Sequence, residues 1–140
     1  MKYFCLFIFC ALLSSCAQSR FTKPSENIKG AFRERVHFYQ KKDKDKFFEN
    51  ISKQYRSGYN EFEYQVEDFL YNNSHIQLDF VIEKQLSSGN KKSVELKWYK
   101  TYVDRRGNPV KRQGFATLFF NVSGEKAVLI NIKGDNPFTQ

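Results

Sequence analysis

Cysteine is confined to the first sixteen residues, at Cys5, Cys10 and Cys16. From Ala17 onward there is no cysteine, so that part of the chain has no disulfide within it, no thiolate metal site and no cysteine nucleophile. Histidine is equally thin, with His37 and His75 the two in the chain. They lie far apart with no acid doublet beside them, so neither a metal site nor a catalytic base is expected, and each reads as a surface or boundary residue. Three prolines and one methionine leave no room for Pro-rich or low-complexity architecture. There is no glycine-rich phosphate loop, no serine elbow and no metal-binding helix motif. Long apolar runs are missing too: the uncharged stretch Tyr3 to Leu13 would rise about 17 Å as a helix, roughly half the hydrocarbon core of a bilayer.

What remains is enough for one globular domain. The 140 residues are 41% hydrophobic and 27% charged, a balance that excludes wholesale disorder. Aromatic residues make up 17%, with 15 Phe, 8 Tyr and 1 Trp, an unusually large share. The net charge is +8, but the basic residues are scattered and interleaved with acids, as in Lys41-Lys42-Asp43-Lys44-Asp45-Lys46. With no nucleic-acid motif present, nucleic acid is not an expected partner. A basic surface held beside anionic lipid fits the charge better.

The opening Met1-Lys2, the short apolar run and the sequence Leu13-Ser14-Ser15-Cys16 resemble the lipobox signal of bacterial lipoproteins. That resemblance implies cleavage before Cys16, a diacylglycerol thioether on its sulfur and acylation of the new amino terminus. Several acyl chains suffice for stable anchoring. Ala17 stands where the family's inner-membrane retention signal has aspartate, which implies the outer membrane, on either side of it. The expected organisation is a signal peptide over 1–15, a lipidated tether over 16–25 and a single domain over 26–140.

Within that domain the first half has helical periodicity. Ile28, Phe32, Val36 and Tyr39 share one face of a helix over about 26–41, with Ser25, Glu26 and Asn27 at its start. Asp43 or Asp45 caps a second short helix, whose stripe is Phe47, Phe48, Ile51 and Tyr55. After Gly58, Phe62, Val66, Phe69 and Leu70 form a third. Beyond Asn72-Asn73-Ser74 the period becomes two. Four strands follow, carrying Ile76 to Ile82, Val94 to Trp98, Gly114 to Val122 and Val128 to Ile132 on one parity. Turns at Ser87-Asn90, Asp104-Pro109 and Ser123-Glu125 separate them.

The register can be set from the side chains. Tyr102 opposite Val110 places Trp98 against Gly114 and Leu96 against Ala116, large against small. Val122 opposite Lys126, across a three-residue loop, places Phe120 against Val128 and Leu118 against Ile130. The result is an α+β domain with helices laid on an antiparallel four-stranded meander. Helices first, long hairpins after, the Val94-Trp98 strand, the Gly114-Phe120 strand and the closing Ile132-Lys133-Gly134-Asp135 resemble the nuclear transport factor 2-like fold. In that fold a cone of helices sits over a curved sheet. A cystatin-like arrangement is the nearest competitor.

Enzymes of that fold hold a titratable group inside the cone, which makes parity the useful test. Asp79, Glu83, Glu95 and Lys97 fall outside. Lys100, Tyr102 and Arg112 share the inner parity but are expected to be solvated near a hairpin tip. Tyr39 and Trp98 are the candidate pocket residues, with Tyr39 read chiefly as a core tyrosine whose hydroxyl reaches the rim. On the outer parity, Val81, Tyr99, Phe115, Phe119 and Leu129 form an unusually aromatic surface. Tyr99, Phe115, Phe119 and Leu129 are therefore the candidate interface, for a second copy or another protein, unless curvature or the C-terminal tail covers them. The expected function is a non-catalytic anchored binding domain without a cofactor. The alternative is a small-molecule isomerase or hydrolase. A cone plugged by Phe32, Tyr39, Phe48 and Trp98 favours the first, and a buried titratable group beside an open cavity the second.

Overall fold

The computed structural model describes residues 26–140. The signal peptide, Cys16, the tether and the Ser25 cap lie outside the described residues. Helix α1 (Glu26–Lys41) lays the expected stripe of Ile28, Phe32, Val36 and Tyr39 into the core. It ends in a Schellman-type turn: Asp43 N–H reaches Phe38 O at 2.9 Å, and Lys42 takes φ +57. A short helix, α2 (Lys44–Phe48), starts at Asp43, whose carboxylate accepts from Lys46 N–H at 3.3 Å. Helix α3 (Tyr59–Asn72) is entered through Gly58 at φ +94 and buries Phe62, Val66, Phe69 and Leu70.

The sheet has the order β1-β2-β3-β4, with β1 Ser74–Ser88, β2 Lys91–Val103, β3 Pro109–Ser123 and β4 Lys126–Gly134. All three pairings are antiparallel and the sheet is open, with the helices on one face. The central register is the expected one: Tyr102 pairs with Val110, Trp98 with Gly114 and Leu96 with Ala116. The first and last strands depart from simple alternation. A bulge in β1 between Ile82 and Lys84 turns the strand, so that Gln85 faces inward.

The β3–β4 hairpin corrects the expected register. Ser123 pairs with Lys126 around a two-residue turn, with Gly124 at φ +58. A glycine in that first position gives a turn whose twist matches its flanking strands. Phe120 therefore faces Leu129 instead of Val128, and a bulge at Ile130 then sets Leu118 against Ile132. Ala127, Leu129, Asn131 and Ile132 are the buried residues of β4. Its outer edge is covered by the connection between α2 and α3: Leu129 N–H donates to Asn50 O at 3.0 Å, and Ser52 N–H donates to Leu129 O at 2.8 Å.

Candidate functional site

The concave face of the sheet is closed by the C-terminal segment, residues 135–140, which folds back across it. Phe138 is 0% exposed, with its ring 4.9 Å from Phe47, 5.1 Å from Tyr39 and 5.8 Å from Phe32, centroid to centroid. Three buried donors hold the backbone of this segment, one carbonyl each. Trp98 Nε1 donates to Asp135 O at 2.7 Å, Lys100 Nζ to Pro137 O at 2.9 Å and Tyr39 Oη to Phe138 O at 2.9 Å. Geometrically, the cone holds residues 135–138 as it would a peptide, with an aromatic anchor and three carbonyls satisfied.

Lys100 corrects the expectation of a solvated hairpin tip. Its residue is 1% exposed, between Leu78 on β1 and Arg112 on β3 in the sheet register. Its Nζ lies 3.7 Å from the centroid of Phe69, within 6 Å of the Tyr39, Trp98 and Tyr102 rings, and 3.3 Å from Tyr39 Oη. Burial, with the nearby Arg112 charge adding to it, lowers its pKa to about 7. A neutral amine has two N–H groups, and the Pro137 carbonyl and Tyr39 oxygen accept both. The Tyr39 hydroxyl is raised well above its ordinary range, first by burial and then by Tyr102. The other two polar residues of that parity stay outside the core, with Tyr102 half-buried and Arg112 exposed.

On the convex face Tyr99 is 41% and Phe115 56% exposed, with Val81 exposed beside them. Lys97 Nζ lies over both rings, 5.1 Å from Tyr99 and 5.4 Å from Phe115. Phe119 is half-buried, with Lys133 Nζ 5.5 Å above its ring. Leu129 belongs to the core at 1% exposure, because the two-residue turn moves β4 by one position; its placement on the outer face is corrected. His37 and His75 are both exposed, the first edge-on to Phe38 and the second 3.2 Å from Ser74 Oγ. Among the described residues no three His, Cys, Asp or Glu side chains are placed to share a metal ion.

Two residues that shape the interior carry no sequence pattern. Phe138 follows a proline outside any periodic segment, and Arg35 sits among charged neighbours. Arg35 is nonetheless buried, donating to Lys46 O at 2.8 Å and Phe47 O at 3.2 Å at the end of α2. The surplus of phenylalanine over the strand and helix stripes is the one hint that the tail contributes to the core.

No protein-family model matches the chain, and no curated protein matches it. Solved structures do. A conserved protein from Planctomyces limnophilus is 13% identical with a TM-score of 0.67, over 78% of this chain and 95% of that one. A nuclear transport factor 2-like superfamily protein from Salmonella enterica is 14% identical with a TM-score of 0.62, over 79% and 88%. A candidate dehydratase of the same family from Streptomyces avermitilis is 12% identical with a TM-score of 0.66, over 78% and 93%. The domain has the nuclear transport factor 2-like fold. At such identities the likeness extends to the fold alone.

Proposed function

We propose that the chain is an outer-membrane lipoprotein, anchored through acylated Cys16, whose domain binds a partner and is not a catalyst. The observation that carries the binding reading is the occupied interior: the space where a substrate would sit is filled by Phe138 and its neighbours, packed ring on ring. Of the aromatic residues that remain accessible, Tyr99 and Phe115 lie together on the convex face of the sheet, while Tyr64 and Tyr71 are exposed on α3.

A second copy of this chain suits that face. Asp79 and Glu83 stand on its β1 side and Lys133 on its β4 side, with Tyr99 and Phe115 between them beside Glu95 and Lys97. A two-fold axis through the middle sets the acidic side of one copy against the basic side of the other. Phe115→Lys is expected to convert the dimer to monomer in sedimentation equilibrium while the fold is retained. A native chain that stays monomeric at high micromolar concentration rejects the dimer. The anchor is tested separately, by metabolic labelling with an alkyne fatty acid. Label and membrane association are expected in the native chain and absent from Cys16→Ser. Labelling that persists in Cys16→Ser rejects it.

One observation favours the enzymatic alternative. Lys100 is a buried amine that is half neutral at about pH 7, the form that attacks carbonyl carbon. Reaction would require the tail to leave. Reductive trapping with a small aldehyde and cyanoborohydride decides the matter: modification of Lys100 in the folded protein supports an enzyme, and labelling of surface lysines alone supports the filled cone.

A further inference from the structure

A pocket of about 210 Å³ opens at the far end of the sheet from the lysine cage, between the β1–β2 hairpin, β3, β4 and the α2–α3 connection. Its apolar part is Leu86, Phe119, Phe120 and Ile130. Leu86 is half exposed, an unusual position for leucine at a hairpin end. The cationic part is Arg56, Lys91 and Lys92, and neither Asp nor Glu lines the pocket. Arg56 and Lys91 are exposed, and neither is in an ion pair among the described residues. The groove between α2 and α3 is different: Lys44 and Lys53 there sit among Asp45, Glu49, Glu63 and Glu67. Ser87, Ser88, Ser93 and Asn131 complete the lining, and an apolar cleft whose charged groups are all cations selects a ligand with a short apolar body and a negative end.

We propose that this pocket binds a single-chain amphiphile with a carboxylate head, its tail against Leu86, Phe119 and Ile130 and its head beside Arg56 and Lys91. The site is separate from the cone and from the exposed Tyr99–Phe115 patch, and it depends on neither the anchor nor the dimer.

The test is titration of the full chain, followed by amide chemical shifts, with sodium octanoate, octylammonium chloride and octyl glucoside. Octanoate is expected to saturate, with the largest shifts over residues 86–93 and at Ile130. Lengthening hexanoate to octanoate is expected to tighten binding by about fourfold per methylene. Octylammonium is expected to bind at least tenfold more weakly, and Arg56→Glu with Lys91→Glu to weaken octanoate by tenfold or more. Both positions are exposed, and the unperturbed remainder of the spectrum checks the fold; Arg56→Gln serves if the double reversal does not fold. Equal binding of the three amphiphiles, unchanged affinity in the variants, shifts centred on Trp98 and Phe138, or no binding of octanoate would each overturn the proposal.

Discussion

Replacing Lys100 with methionine keeps a flexible unbranched side chain in the cage and removes the amine. The consequence is a change in how stability depends on pH. In the unfolded chain the amine titrates at its ordinary 10.5, and in the fold at about 7. Between those values the unfolded state holds a proton that the native state lacks, so stability rises with pH across that window. Below pH 7 both states are protonated and the full penalty for a buried ammonium is present. Above 10.5 both are neutral and it is absent. The full span of the shift corresponds to about 5 kcal/mol at ~1.4 kcal/mol per unit. The Phe69 face, 3.7 Å from Nζ, favours the ammonium and offsets up to about 2 kcal/mol of it. The native protein should therefore gain about 1 to 2 kcal/mol between pH 7 and pH 9 relative to Lys100→Met. Urea unfolding of both proteins at the two pH values measures it, since other titrating groups cancel in the comparison. Parallel pH profiles would refute the reasoning, and would mean that Lys100 is solvated in the folded protein.

Two further substitutions probe the closed interior. Phe138→Ala removes a fully buried ring that touches three others, and is expected to cost about 3–5 kcal/mol in urea unfolding; a loss below 1 kcal/mol would mean that the tail does not fill the cone. Gly114→Ala would place a Cβ 2.5 Å from Asp135 Cβ and 2.7 Å from Trp98 Cζ2. It is expected to cost about 1–3 kcal/mol and to loosen the tail, read as faster amide exchange at Asp135 and Phe138; unchanged stability and exchange would contradict the packing of Trp98 under the tail.

Sequence periodicity carried most of the architecture because the apolar residues repeat cleanly. Ile28, Phe32, Val36 and Tyr39 fix α1, and the match of Trp98 to Gly114 fixes the central hairpin, since a side chain at 114 would collide with the indole. It failed where geometry broke the period. Gly124 permits loops of two or three residues, and the shorter one moved Leu129 from the surface to the core. The bulges in β1 and β4 leave no mark in composition. Lys100 was hidden for a different reason. Its inner parity was legible, but its burial depends on the tail, and Pro137-Phe138 belongs to no repeating pattern. The interior was thus partly readable as aromatic, while the amine at its centre and the peptide that covers it required the three-dimensional arrangement.

Trp98 gives the most direct test of the closed cone, because the chain has one tryptophan and it lies fully buried beneath the tail. Acrylamide quenching of its fluorescence reads access to the interior without any label. The native protein is expected to resist quenching as a buried indole does, and Phe138→Ala to be quenched more readily. Native fluorescence quenched as fast as free tryptophan would contradict the filled interior, and with it the reading of this domain as a binding module and not an enzyme.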